Sequence, residues 1–538
     1  MNTNCQYIPY QHTGYFSKMV TDYLQQDEKI QPFYKHPDTI DGLRAAIEAR
    51  KATQNHRQVL FTVLQKQYEG FELTAFQKKN LDNLLRDNTF TITTAHQPNI
   101  FTGHLYFIYK ILHTIKLAAE LSVQMPENNF VPVFYMGSED ADIDELGHVY
   151  VDGEKLSWDT KQTGAVGRMK VDDALLELID RMAGRLEVLP YGKEIIELFK
   201  NAYTPGTTIQ QATLHLVNSL FNQLGLLVLI PDNADLKRPF NKIIKREITE
   251  RFSHQLVEGT TKKMGEHYKV QAGGRELNLF YLLDDHRERI EFSNNHFEVK
   301  SLHIRWTEKE IINEVDQHPE RFSANVILRG VFQEMILPNI AFIGGGGEIA
   351  YWLELKSVFE ACDVPYPVII LRNSLLLMKQ SEWQKIKNLG FTVEDFFKPE
   401  RTLLDNLVRR DSREQLTIEK ERLAILAAYT QIKNFTSKID FTLNSHVDAL
   451  SVKAEKLLSQ LEKKMLRAEK KKFQARQRQI HHLKEKLFPK NNLQERVDNI
   501  AEYYALYGKE LLSSILQNSL VLDAKFAVLI LTDHFSLK

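Results

Sequence analysis

Asn88 to Leu121 reads NTFTITTAHQPNIFTGHLYFIYKILHTIKLAAEL, and its order of strand, compact loop and helix decides the fold. Thr89 to Thr94 is β-branched and apolar, as a central strand covered on both faces requires. Ala95 to Gly103 holds a His, a Gln, a Pro, an Asn and a Gly, residue types suited to a shaped turn. From Leu105 the apolar residues Leu105, Ile108, Tyr109, Leu112, Ile115 and Leu117 recur at helical spacing. Open α/β sheets bind ligands outside the carboxyl end of a strand, in a loop of this kind. The helix start adds N–H groups for an anion. This loop is the first candidate site.

Outward from it, the same alternation repeats. Phe130–Met136 (FVPVFYM), Leu226–Ile230 (LLVLI), Leu337–Ile343 (LPNIAFI) and Pro367–Leu371 (PVIIL) are short apolar strands. Helical stretches such as Val171–Ala202 and Thr213–Gly225 lie between them, so an α/β fold with a doubly wound, mostly parallel sheet is expected. Val149 to Trp158 reads as a hairpin turning at Asp152-Gly153. Residues 1–87 read as a helical segment packing on the core, 88–398 as the core, with insertions at about 150–210 and 255–322. From Glu400 to Phe488 there is neither Pro nor Gly, and Leu458, Leu461, Met465, Ala468 and Ala475 follow coiled-coil spacing. The expectation is one helix from about Phe441 to Leu487, roughly 70 Å long. It pairs with Ser412–Lys438 in an antiparallel arm (399–488) that turns near Ile439–Leu443, and 489–538 forms a helical cap.

Composition narrows the function. A chain of 538 residues needs two or three domains. With 69 Lys+Arg against 70 Asp+Glu, the net charge of −1 gives no global case for nucleic acid or an acidic membrane. Two cysteines, Cys5 and Cys362, exclude a disulfide framework or a cysteine metal cluster and fit a reducing cytoplasm. No signal-peptide pattern and no run near the ~18 apolar residues of a membrane span is present. Ser451 to Lys490 carries thirteen Lys/Arg against four Asp/Glu, but only Phe473 and Phe488 could stack on bases. A solvated charged face is therefore preferred to nucleic-acid binding.

Several motifs carry chemistry. In HQPNIFTGH, Phe101-Thr102-Gly103-His104 is similar to the H-x-G-H signature of class I nucleotidyltransferases, with Phe101 in place of the first histidine. The resemblance implies that Gly103 lets backbone approach a phosphate while His104, with His96, stabilises charge in the transition state. On four residues alone, a tight turn around a buried, hydrogen-bonded His96 is the preferred alternative. Glu139 to Glu145 (EDADIDE) fails as a calcium loop, because Glu145 sits where glycine is needed and Val151 where the bidentate Glu belongs. Glu139 and Asp140, nearest a strand end, could hold a substrate ammonium or Mg2+ with a phosphate, or simply form an acidic surface loop. Gly344, Gly345, Gly346 and Gly347 lack the Lys-Ser/Thr of a phosphate loop, and Ile349 replaces the third glycine of the dinucleotide fingerprint. They permit close approach to a ligand or close helix–strand packing, with Glu348 at the helix start and Tyr351 one turn on. Arg329 and Arg372 flank apolar strands and are candidates to grip a carboxylate, although protein salt bridges are the commoner fate of such arginines.

Together these segments resemble the BshC family, the cysteine-adding enzymes of bacillithiol biosynthesis. The likeness runs through FSKMVTDYL and PFY, HQPNIFTGHLYFIYK, VPVFYMGSEDADIDELGH, NVILRGVFQEMILPNIAFIGGGGEIAYWLELKSVFE, LEKKMLRAEKKK and LFPKNNLQERVDNI, nearly the full chain. It implies a Rossmann-like nucleotidyltransferase core with helical insertions, a coiled-coil arm, a homodimer formed through that arm, and a ligase joining L-cysteine to the amine of glucosaminyl malate. The family usually has proline where this chain has His104, which moves the weight to His96, Gln97, Asn99, Thr102 and Gly103, with Tyr106 beside them. An amine does not displace hydroxide from a carboxylate, so the cysteine carboxyl must be activated first. The residues leave the activating cosubstrate open; ATP, through a cysteinyl-adenylate, is the expected one, with Mg2+ as companion and no metal ligands assigned. A non-catalytic scaffold and an RNA binder using the basic arm are the competing classes.

Overall fold

The segment Thr89–His96 is the central strand of the molecule (β1), and its threonines show why it folds there. The computed structural model describes residues 3–53, 56–270 and 273–532. β1 pairs in parallel with β2 (Asn129–Met136), β3 (Leu227–Leu229) lies beyond β2, and β4 (Asn339–Gly344) and β5 (Val368–Leu371) lie on the other side. The spatial order is β5-β4-β1-β2-β3, all parallel. The winding direction reverses between β1 and β4, which opens a crevice at their carboxyl ends. Thr89, Thr91, Thr93 and Thr94 are buried. Thr91 and Thr93 donate to Asn339 Oδ1 (3.2 and 2.8 Å) and Thr94 to the Ile343 carbonyl (2.8 Å), so each of these hydroxyls has a partner on β4.

Helix α1 (Leu105–Gln124) buries the whole expected stripe, and also Lys110, His113 and Thr114. The second covered face comes from residues 492–532. His113 Nε2 meets the Val521 carbonyl at 2.8 Å, and His113 Nδ1 accepts from the Asn373 N–H at 3.2 Å.

Most of residues 3–377, together with 492–532, form one compact unit. Its amino-terminal part is mostly helical, and Arg50 in helix Ile40–Lys51 fastens it by donating to the Glu334 carboxylate at 2.9 Å and the Asn339 carbonyl at 2.9 Å. Both ends differ from the helical expectation. Thr3–Pro9 pairs antiparallel with Lys525–Leu531, and Leu375–Lys379 completes a three-stranded sheet. Thr3–Pro9 and Lys525–Leu531 lie at opposite ends of the chain, so no local pattern announces their pairing. The hairpin His148–Val151/Glu154–Ser157 turns at Asp152 (φ 50°) and Gly153 (φ 75°). A small antiparallel sheet, Phe322–Ala324, Leu279–Leu282 and Arg287–Arg289, stands in the later insertion.

Residues 378–491 belong to a second unit. Helices α4 (Glu419–Ile439) and α5 (Leu443–Lys470) run antiparallel, joined by Lys433–Asp448 (2.6 Å), Arg422–Glu455 (3.1 Å) and Ser437–Asn444 (2.6 Å). The expected single helix to Leu487 is interrupted at Lys471–Phe473 and resumes at Gln474–Leu487, both pieces packing on helix Glu400–Asp411. The burial also differs. Val447, Leu466 and Glu469 are the buried residues of α5, whereas Leu461 is 48% exposed and no residue of α4 is buried. Two helices can cover only one face of each other. Among the described residues no helix is long and apolar enough to cross a membrane.

Candidate functional site

A cavity of about 660 Å³ opens at the crevice between β1 and β4, where the sheet order reverses. The carboxyl end of β1 supplies His96 and Gln97, and α1 supplies Tyr106 and Lys110. Asp140 follows β2, Gly345, Gly347, Glu348 and Tyr351 follow β4, and Arg372 follows β5. Arg329 comes from α2 (Val326–Ile336), and the small antiparallel sheet closes another wall with Phe280, Arg287 and Arg289.

His96 is locked in place by its neighbours. Its Nδ1 accepts the Gln97 N–H (2.9 Å), Gln97 Oε1 lies 2.6 Å from the same nitrogen, and the Tyr106 hydroxyl lies 3.2 Å from Nε2. Burial, and then the charge of Lys110, hold the imidazole well below its ordinary value, so it is neutral near pH 7. Nδ1 faces both the Gln97 N–H, a donor, and Gln97 Oε1, an acceptor, so the ring nitrogen that carries the proton follows from which of the two Nδ1 serves. With the proton on Nε2, the ring can donate to an oxygen gaining charge.

The loop beyond His96 turns inward. Phe101 (φ 50°) and Thr102 (φ 69°) occupy the left-handed region, and Gly103 follows at φ 62°, ψ −131°. Such strain persists only where the surroundings enforce it. Here the Phe101 N–H donates to Tyr203 (2.8 Å), while Asn499 Nδ2 donates to the carbonyls of Phe101 (2.8 Å) and Gly103 (2.5 Å). The Leu105 N–H, expected to serve an anion, donates to the Asp498 carbonyl at 2.8 Å. Asn99 and Thr102 are 2% and 1% exposed, and neither lines the cavity. A Cβ on Gly103 would lie 2.8 Å from Asn99 Cβ, so this glycine makes room for protein packing rather than for a phosphate. His104 bonds through Nδ1 to the Val497 carbonyl (3.0 Å) and also stands outside the lining. The loop is covered because residues 497–499 lie over it.

Charged residues sort in the same way. Arg329 grips both oxygens of Asp140, one at 2.8 Å. Burial pushes the Asp140 carboxyl up, but Arg329, then Arg287 and Gln97, hold it below its ordinary value. Arg372 is buried and bonds Glu495 (2.7 Å) and Ser374 (3.0 Å), so its predicted role as a carboxylate grip is taken up by the protein. Glu348 bonds Lys110 (2.6 Å) and caps the Gly345 N–H (2.8 Å), tying α1 to helix α3 (Gly346–Leu353). Gly344 and Gly346 lie outside the lining. A Cβ on Gly344 would press on Phe342 at 2.8 Å, as close helix–strand packing requires. Glu139 points away from its neighbour Asp140, pairing with Lys237 and accepting from Ser323 (2.8 Å).

Sequence reasoning missed much of the cavity's positive charge. Arg275, Arg287, Arg289, Arg329, Arg372, Arg496 and Lys110 line the cavity with Asp140, Glu145 and Glu348, and Arg329, Lys110 and Arg372 already hold Asp140, Glu348 and Glu495. Arg287 and Arg289 had a signal, since residues two apart in an alternating stretch share a face. Among the described residues no group of three His, Cys, Asp or Glu is placed to hold a metal ion.

A parallel sheet of this order, with a cation-lined cavity at its switch point, defines a Rossmann-like domain suited to an anionic ligand. The chain belongs to the BshC family. Residues 1–373 match the model described as Bacillithiol biosynthesis BshC, N-terminal Rossmann-like domain, and residues 375–531 match the C-terminal coiled-coil domain of the same family. A relative from Flavobacterium johnsoniae, named "Putative cysteine ligase BshC", is 37% identical over 98% of this chain and 100% of its own length. Relatives of the same name from Flavobacterium psychrophilum (37%) and Christiangramia forsetii (35%) each align over 98% of this chain and 99% of their own lengths.

Proposed function

We propose that this chain joins the carboxyl group of L-cysteine to the amine of glucosaminyl malate, forming the amide bond that completes bacillithiol. The observation that carries the proposal is the cation-lined switch-point cavity in a chain aligned end to end with relatives named as cysteine ligases. Both substrates carry carboxylates, and the amine acceptor brings two from its malyl group. A cavity lined by seven cations and three carboxylates suits such a pair.

The cysteine carboxyl needs activation before an amine can attack it, and ATP is the proposed cosubstrate: the carboxylate would displace pyrophosphate at the α-phosphorus to give a cysteinyl-adenylate, from which the amine displaces AMP and loses a proton. Its phosphates suit the start of α3, where Gly347 brings backbone to the cavity wall; the Gly345 N–H is already taken by Glu348. Mg2+ would arrive with the phosphates, since no carboxylate cluster among the described residues is built to hold it alone. As the free amine adds to the activated carbonyl, the oxygen gains negative charge, and the neutral His96, in the tautomer protonated at Nε2, donates to it. Tyr106 keeps the ring aimed. Asp140, held at both oxygens by Arg329, fixes that guanidinium at the cavity wall.

The proposed assembly is a homodimer through α4 and α5, whose Leu423, Ile432, Phe435, Leu457 and Leu461 lie exposed in the single chain. Sedimentation at micromolar concentration tests this, a monomer with these residues intact being the contrary result.

Deleting the gene and profiling cellular thiols tests the reaction. Bacillithiol should vanish while glucosaminyl malate accumulates, and the plasmid-borne gene should reverse both. Unchanged bacillithiol in the deletion strain would overturn the assignment.

A further inference from the structure

Arg287 differs from two other arginines of the cavity, Arg372 and Arg329. Arg372 and Arg329 each have a carboxylate at hydrogen-bonding distance, Glu495 and Asp140. Arg287 does not. Its side chain is 8% exposed, and its Nε donates to Ser323 Oγ at 3.2 Å. The guanidinium lies over the Phe280 ring, 4.0 Å from the centroid. Asp140 is the acid near it, at 3.7 Å, and both oxygens of Asp140 are already held by Arg329. Nη2 is buried without a hydrogen-bond partner.

A buried, under-neutralised guanidinium is costly to keep. Burial, then the like charge of Arg329, lower its pKa to about 10, the mark of a cation whose surroundings do not repay its desolvation. In a closed core such a group would be replaced or paired. This one lines a cavity, with Arg289 beside it on the same face of the strand, 6.0 Å from the same ring. The missing counter-charge is therefore expected from a ligand.

We propose that Arg287 is a substrate-binding residue that grips a carboxylate of the malyl group, with Arg289 serving the second carboxylate at the rim. This rests on the ligase assignment above and names which part of the acceptor each wall holds. A planar guanidinium with an unpaired Nη2 matches a carboxylate oxygen, and the rigid Phe280 face keeps it from swinging away. Phosphate has a different candidate place, at the backbone N–H groups beginning α3 on another wall. The two anions of the reaction are thus kept apart: carboxylates on the arginine strand, phosphates at the glycine turn.

Equilibrium binding to the full chain, without turnover, tests this. The ligands are glucosaminyl malate, L-malate, glucosamine and ATP, titrated into wild type, Arg287→Gln and Arg287→Lys, with an unfolding midpoint for each. Losing one charged hydrogen-bond pair lowers affinity about 10- to 100-fold. Arg287→Gln should show that loss for both malyl ligands with glucosamine and ATP unchanged, and Arg287→Lys should recover only part of it. The midpoint of Arg287→Gln should equal or exceed wild type, because an uncompensated buried charge has been removed. Malyl ligands binding Arg287→Gln as tightly as wild type, or failing to bind wild type at millimolar concentration, would overturn the proposal. A loss confined to ATP would overturn it too, by assigning the guanidinium to phosphate. Malyl binding through Arg287 in a chain that forms no amide would sink the ligase assignment and leave this site standing.

Discussion

His96 and Thr102 lie six residues apart on one strand–loop–helix segment, and the molecule uses them in opposite ways. His96 ends β1 at the cavity wall, neutral and aimed by Tyr106. Thr102 is sealed inside at φ 69°, its hydroxyl without a partner, under the cover of residues 497–499. The cavity half is polar, charged and reachable. The buried half is strained and held by protein. The difference teaches that a loop in the position of a phosphate-binding turn can serve as a brace, while the strand end before it and the glycine turn beside it line the cavity.

The comparison predicts separable losses. The largest is in rate: His96→Ala should lower amide formation about 10²- to 10³-fold, the usual effect of losing one donor to a developing oxyanion, with the unfolding midpoint unchanged. A midpoint that falls together with activity would make His96 another brace. Gly103→Val should reverse the pattern. Its Cβ meets Asn99 at 2.8 Å and its backbone sits at φ 62°, so a stability loss of about 3 kcal/mol is expected in denaturant unfolding. Activity should survive in whatever fraction stays folded.

A smaller effect lies in pH. Burial raises the Asp498 carboxyl from 3.8 to about 7, against the hydrogen bond from Tyr503 and with help from Glu502. The folded state then binds this proton more tightly than the unfolded chain. The resulting stability is complete below about pH 4 and is lost as the pH rises through about 7. Thermal midpoints measured from pH 5 to 8 should fall less in Asp498→Asn than in wild type, and parallel profiles would contradict this. The smallest effect belongs to Thr102→Val. Replacing a partnerless buried hydroxyl by a methyl of the same shape should shift stability by under about 1 kcal/mol and leave product formation alone. Loss of product in Thr102→Val would return the loop to the chemistry.

What the sequence made legible was local. The threonine-rich strand, the helical stripe from Leu105 and the Asp152-Gly153 hairpin turn each rest on residues close together in the chain. The terminal strands did not show, because Thr3–Pro9 acquires its character from Lys525–Leu531. The site divided along the same line. Arg372 and Arg329 could be flagged from their places beside strands, but their partners, Glu495 and Asp140, lie 123 and 189 residues away. Glu139 and Asp140 looked equivalent in sequence; only the packed strand end sends one to Lys237 and the other to the cavity. Arg287 shared a strand face with Arg289 in the sequence, but its importance lies in the partner it lacks, which no local pattern shows.

The central claim is that the cavity end of β1 performs the ligation. Its most direct test is the rate of bacillithiol formation from labelled L-cysteine in lysate of the deletion strain, supplemented with glucosaminyl malate and ATP. Purified wild type or His96→Ala is added at equal folded concentration. Labelled bacillithiol should appear with wild type and be at least about 100-fold slower with His96→Ala. Equal rates from the two proteins would place the chemistry elsewhere in the molecule.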